Sequence, residues 1–310
     1  MRPPEKRGPS DLRPRSGKAS KWRWLPGVLC AGVAAVLLAP TKDQELMGAG
    51  ERQLSTANRA EEGDDQKNWD LMWEFRAAPT RQNTDAVFQL LEEKLQDWNS
   101  HCDDLIEEIL MGIGEHRIER GRKYLVRYLN ADRELAPREQ IASWAALALG
   151  RLGGKASFDT LSRATPRASP ELLKSIAVAL GTLRDDRAVS VLEELAETPD
   201  AEIRHRAIAG LASYCSASSR ATILTALADP TPRVRNSAAY WLAQCGRKED
   251  DARLALMLHD DYALVRKNAL AGLIRLGSTA ACEMLPQLLA DANLSVRLEA
   301  KSYEELCHGR

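Results

Sequence analysis

Asp229-Pro230-Thr231-Pro232-Arg233-Val234-Arg235-Asn236-Ser237-Ala238-Ala239 is followed, 31 residues later, by Asp260-Asp261-Tyr262-Ala263-Leu264-Val265-Arg266-Lys267-Asn268-Ala269. Asp, Val, Arg and Ala return at the same places. Working outward, Ile141, Leu172, Ile203, Val234, Val265 and Val296 are each 31 residues apart. Four positions beyond them lie Ala145, Ile176, Ala207, Ala238, Ala269 and Ala300. Eight positions beyond lie Leu149, Leu180, Leu211, Leu242 and Leu273, and then Glu304. Residues at these offsets share one face of a helix, and a small residue at the fourth position lets a neighbouring helix approach closely.

A second helix runs in the same register. Phe158 and Val189 share one of its positions, and Leu161, Leu192, Ile223, Leu254 and Leu285 share another. Gly153, Gly246 and Gly277 fall between the two helices, where a helix stop favours glycine. Asp229, Asp260 and Asp291 precede the first helix, near a cap position. Neither helix of such a pair buries its apolar face alone, so stacked neighbours must supply the core. The period therefore predicts an all-α chain, with five full 31-residue repeats and a terminal half repeat over 137–310. Glu304, where earlier units carry Leu, fits a terminal cap with a wetted outer face. Helical stretches over 68–136, one of them starting at Thr84-Asp85, cover the other end.

The quoted segments resemble HEAT repeats, and the short period is similar to the HEAT-like type named after phycobilisome lyases. The resemblance implies a right-handed α-solenoid whose second helices line a concave surface. It carries no function with it, because such arrays serve many roles.

Composition and charge narrow the work such a chain does. Among 310 residues, 43 Lys and Arg face 44 Asp and Glu. This balance excludes a globally basic nucleic-acid binder. The charge is nevertheless uneven: residues 1–23 hold eight Lys and Arg against two acids in a Pro-, Gly- and Ser-rich stretch, which reads as a disordered arm. Trp24 to Pro40 (WLPGVLCAGVAAVLLAP) follows, 17 residues without a charge. As a helix this run is about 25 Å long, slightly short of a hydrocarbon core. Three readings fit it: a membrane signal anchor, a cleaved secretory signal and a buried helix. The strong basic flank and the poor cleavage sites favour the anchor. Basic residues stay on the cytoplasmic side, so the N-terminus is expected in the cytoplasm and the repeats outside, periplasmic or otherwise extracytoplasmic; cleavage would instead yield a secreted protein. Residues 41–67 read as a flexible acidic linker.

No catalytic, cofactor or metal constellation emerges. The five histidines form no H-E-x-x-H, and no His-Glu dipeptide occurs, which sets the chain apart from the HEAT-repeat di-iron hydroxylases. Cys102, Cys215, Cys245, Cys282 and Cys307 include no C-x-x-C. Cys215 and Cys245 lie in adjacent units, but helix axes packed about 8–10 Å apart exceed the usual disulfide separation, so core thiols and few disulfides are expected. Arg204, Arg235, Arg266 and Arg297 also recur at 31. They read either as a basic ladder for phosphate or acidic peptide, or as internal partners of turn aspartates and helix ends. The ladder lacks interleaved aromatics, so nucleic acid is not an expected partner. Trp241 reads as a core residue or, with Tyr240, as an anchor for a partner.

The surface row two positions past the Leu161 class, comprising Arg163, Glu194, Thr225, Leu256 and Gln287, is varied enough to be a tailored contact face. The expected function is a membrane-tethered, non-catalytic scaffold that binds a protein or peptide through Arg163, Glu194, Thr225 and Gln287. The alternatives are a cofactor-handling chaperone or lyase resembling the bilin lyases, and a purely structural tether.

Overall fold

The computed structural model describes residues 66–96, 103–130 and 136–308. The arm, the apolar segment 24–40 and the linker up to residue 65 lie outside the described residues. Among the described residues no helix is long and apolar enough to cross a membrane, and none belongs to a strand.

Helix α1 covers 66–77, so helix already occupies the last two residues of the expected linker. Next come α2 (Arg81–Gln96), α3 (Asp103–Glu115) and α4 (Arg122–Leu129). Helix α2 begins before the expected Thr84, because Thr80 and Asn83 cap it reciprocally. Asn83 N donates to Thr80 Oγ1 at 3.2 Å, and Thr80 N donates to Asn83 Oδ1 at 2.7 Å. Their core is Phe75, Leu91, Ile109, Leu125 and Tyr128, all buried.

From α5 onward the helices alternate. The first helices of the units are α5 (Ala136–Leu152), α7 (Pro170–Leu183), α9 (Ala201–Ala212), α11 (Pro232–Cys245), α13 (Ala263–Arg275) and α15 (Leu294–Ser302). The second helices are α6 (Lys155–Ala164), α8 (Ala188–Leu195), α10 (Ala217–Thr225), α12 (Asp251–Met257) and α14 (Thr279–Leu289), and the short α16 (Glu304–His308) closes the array. Every periodic aliphatic residue of the first helices, Ile141 through Val296 with its partners four and eight places on, is buried up to Ala300. Leu161, Leu192, Ile223, Leu254 and Leu285 are buried beneath them. Glu304 is half-buried.

The two layers differ in spacing. Each first helix packs along the next, whereas successive second helices touch at few residues. Small residues allow the tight layer: a Cβ added to Gly181 would stand 2.5 Å from Gly210 Cα, and one on Gly150 would stand 2.7 Å from Ala179 Cα. A stack bends toward its more closely spaced layer, so the first helices form the inner side. This reverses the expectation that the second helices line the concave surface. The resemblance carries the alternation of two helices, but which one lies inside depends on inter-helix spacing. In the second layer, Arg187 reaches Asp159 at 2.8 Å and Arg220 reaches Asp250 at 3.0 Å across the wider gaps.

The turn between first and second helix repeats too. Gly153, Arg184, Cys215 and Gly277 occupy the same place in four units with φ of 79°, 54°, 48° and 70°. Gly246 instead is extended at φ −67°. Left-handed backbone ends the first helix in these four units, and glycine takes it without a Cβ penalty.

The arginine ladder is internal. Arg204 Nε and Nη2 hold Asp229 at 2.8 and 3.0 Å, Arg235 holds Asp260 at 2.7 and 2.9 Å, and Arg266 holds Asp291 at 2.8 and 2.7 Å. Each Nη1 donates to two carbonyls of its own turn, as in Arg235 to Asp229 O and Pro230 O. The aspartates do not cap helices themselves. They accept from the N–H two residues on, Thr231, Tyr262 and Asn293, each at 2.8 Å, and thereby close the turn. A bidentate fork fixes angle as well as distance between units.

The cysteines differ from expectation. Cys215 and Cys245 form a disulfide with Cα atoms 5.4 Å apart, and Cys282 and Cys307 form a second at 5.3 Å. The inter-axis argument fails because Cys215 is not on a helix: it occupies the left-handed turn after α9, beside the last residue of α11. Cys307 lies on the closing α16 and binds it to α14.

Candidate functional site

The inner layer carries a groove of about 550 Å³ across three consecutive first helices, α5, α7 and α9. Its position follows from the period. On each first helix the buried face takes the zero, fourth and eighth positions, which leaves the positions one before and two, three and six after to line the inner surface. In α5 these are Gln140, Ser143 and Leu147, and in α7 they are Glu171, Lys174, Ser175 and Val178; α9 adds Arg206. Leu147 and Val178, at the sixth position, give the groove an apolar floor. The same position holds Ala209, Tyr240 and Ala271 in later units, so the apolar column runs on.

The rim is charged and paired. Lys174 reaches Glu171 at 2.5 Å, and Glu202 takes both Arg206 and Arg233 at 2.8 Å. Glu139 accepts from Ser169, which also caps α7 through Leu172 N at 3.3 Å. The Glu171 hydroxyl-free carboxylate raises Lys174 above the usual amine range chiefly through its hydrogen bond. His205, next to Arg206, has an unpartnered buried Nδ1, and burial pushes its imidazole below the ordinary value. Toward the chain's N-terminal helices the rim continues as Arg151 on Glu115 at 2.8 Å and Arg76 on Glu115 at 2.7 Å.

Such a surface offers shape and paired polar groups. Among the described residues no three His, Cys, Asp or Glu side chains cluster as metal ligands do. Toward the C-terminal end the inner face turns apolar: Tyr240, Leu264 and Leu298 are exposed there. Trp241 is half-buried against the core and meets Tyr240 edge-on at 4.8 Å, so of the two it is Tyr240 that faces outward.

The row named from sequence lies elsewhere. Arg163, Glu194, Thr225, Leu256 and Gln287 are all exposed, but they stand on the second helices, outside the groove. Arg163 Nε turns back to Asp159 O at 2.9 Å, and Thr225 Oγ1 bonds Ala221 O at 3.1 Å. Because the second helices diverge, the row is strung out instead of brought together. Sequence reasoning passed over the groove residues because they are the unburied positions of helices singled out for their buried ones. Apolar residues at the sixth position, Leu147 and Val178, are the signal that points to them.

A family model described as HEAT repeats matches residues 133–212 and 194–273, and the alternating helix pairs of this part are similar to HEAT repeats. No curated protein matches the chain. Solved structures that match the chain include human deoxyhypusine hydroxylase in complex with glycerol, at 17% identity over 81% of this chain and 99% of that one, with a TM-score of 0.35. The CpcE–CpcF complex of phycocyanin lyase from Nostoc sp. PCC7120 is 18% identical over 70% and 94%, with a TM-score of 0.43. A designed armadillo-repeat protein in complex with the peptide (KR)4 is 19% identical over 58% and 97%, with a TM-score of 0.41.

Proposed function

We propose that this chain is a non-catalytic scaffold that holds a protein or peptide partner on the inner face of its first helices, tethered to a membrane by residues 24–40 with the repeats on the extracytoplasmic side. The observation that carries the binding role is the groove itself. Leu147 and Val178 offer apolar area to bury, and the paired rim of Glu139, Glu171, Lys174 and Arg206 offers hydrogen bonds. Solenoids typically bind through such extended surfaces. The tether rests on the uncharged Trp24–Pro40 run behind a basic arm. The extracytoplasmic side also draws support from the two disulfides, since such bonds persist in oxidising compartments.

A photo-crosslinking amino acid at Ser175, in the groove, and separately at Thr225, on the second-helix row, tests the binding face in cells making the full chain. We expect a discrete adduct from Ser175 that Val178→Arg abolishes. An adduct from Thr225 alone overturns the groove. A reporter active only after export, fused after residue 310, tests the tether. Activity supports it, and activity of a cytoplasmic reporter in its place refutes it.

A further inference from the structure

A pocket of about 330 Å³ opens between the turn that enters α2 and the turn that joins α3 to α4. Its wall is basic: Arg81, Arg117 and Arg120 line it with His116, Thr80 and Thr84. Among the described residues one carboxylate answers the three guanidinium groups. Asp85 takes Arg120 and stands 3.9 Å from the exposed Arg81. Arg117, exposed and in left-handed backbone (φ 50°) just after α3, has no partner for its side chain among the described residues. His116 is fixed against the wall, with Nε2–H donating to Arg76 O at 2.9 Å.

Two hydroxyls complete the lining. Thr84 is only 5% exposed, yet its Oγ1 has no hydrogen-bond partner among the described residues. Threonines in other helices turn the hydroxyl back to the carbonyl four residues before, as Thr160, Thr182 and Thr225 do at 2.8, 2.9 and 3.1 Å. Thr80 Oγ1 accepts from Asn83 N at 3.2 Å and keeps its proton to give. A buried hydroxyl left unpaired is costly, so Thr84 calls for a partner inside the pocket.

We propose that this pocket binds a tetrahedral oxyanion, either phosphate or the phosphomonoester end of a larger molecule. Arg117 and Arg81 supply charge, and Thr84 and Thr80 supply hydroxyl donors. Three guanidinium groups against one carboxylate leave the local excess positive. Donors reach the space from two separate turns, which suits a ligand with oxygens on several sides; a planar carboxylate meets fewer of them. The volume leaves room for an ester substituent. None of the lining residues lies on α5, α7 or α9, so this site stands or falls apart from the groove.

Calorimetric titration of the full chain in a non-ionic detergent tests the site with inorganic phosphate, glycerol 3-phosphate and acetate. Phosphate should bind saturably, and acetate at least about tenfold more weakly. Tighter binding of glycerol 3-phosphate assigns the pocket to an ester such as a lipid headgroup; equal or weaker binding assigns it to the free ion. Arg117→Gly removes the guanidinium where glycine takes the backbone freely, and Thr84→Val removes the hydroxyl while keeping the shape. The first should weaken phosphate about tenfold and the second about fivefold, each with the melting temperature maintained. Lys248→Gln, which removes an exposed cation before α12, should change nothing. Phosphate binding that survives both Arg117→Gly and Thr84→Val, that falls as far with Lys248→Gln, or that is absent at ~10 mM phosphate overturns the proposal.

Discussion

Replacing Asp260 with Ala should split the array in two. Arg235 and Asp260 are 14% and 6% exposed, so the rung is largely desolvated. The change removes the two fork bonds at 2.7 and 2.9 Å, strands the guanidinium in a protein environment and frees Tyr262 N at the head of α13. Breaking a buried pair from one side costs about 3–5 kcal/mol. Arg235 keeps its two carbonyl contacts and the exposed Asp261 at 2.6 Å, which places the loss at the lower end, about 3 kcal/mol. In a stack stabilised by nearest-neighbour interfaces the loss falls on the junction between α11 and α13. The opening constant of everything beyond it should rise about a hundredfold, since each 1.4 kcal/mol is a factor of ten. Hydrogen exchange followed by mass spectrometry reads this directly: amides of α13, α14 and α15 should exchange about a hundredfold faster while those of α5 and α7 keep their protection. Asp260→Asn, which can still accept from Tyr262 N, should lose about half as much free energy. Unchanged exchange in α13, or an equal rise in every helix from α5 to α15, would refute the reasoning.

Further outcomes follow from other contacts. Gly181→Val places atoms against the Gly210 backbone, 2.5 Å from where a Cβ would stand; overpacking of about 2 kcal/mol should lower the melting temperature by about 5 °C, read by circular dichroism. Cys307→Ser opens a crosslink spanning 25 residues, a loss of about 3 kcal/mol in the chain-entropy account, and exchange should show α16 deprotected. Acid should weaken the array through its rungs. Asp291 is held below the usual carboxylate range chiefly by its bond from Arg266; for Asp229 and Asp260 burial is the largest single effect and acts upward, but the bonds from Arg204 or Arg235 and from the N–H of Thr231 or Tyr262, with the guanidinium charge, together outweigh it. Folded values below the unfolded ones mean that this stabilisation is complete above about pH 4 and lost as the pH falls through the lowered values. Stability measured by urea from pH 7 downward should therefore stay level in this contribution until the carboxylate range; a loss between pH 7 and 5 that disappears in Asp260→Asn would contradict it.

The repeat was legible without coordinates because burial leaves a periodic trace: a side chain that must sit in the core at every rung recurs as Ile141, Leu172, Ile203, Val234, Val265 and Val296. The helix pairing and the arginine–aspartate rungs follow from the same period. Arg204, Arg235 and Arg266 could be read as internal partners because their aspartates repeat with them. Three things needed the tertiary structure. The inner side of the stack is set by how closely Gly181 and Gly210 let neighbouring backbones approach, a distance that composition at one position does not reveal. The Cys215–Cys245 disulfide depends on a left-handed turn at Cys215 that carries the sulfur off the helix. The groove comprises residues from α5, α7 and α9 whose identities vary from unit to unit, so no repeat marks them, and only the packing of three helices brings Leu147, Val178 and Arg206 to one surface. Local periodicity encodes which side chains are buried; where the exposed ones meet is a property of spacing between helices, and that is decided by the stack as a whole.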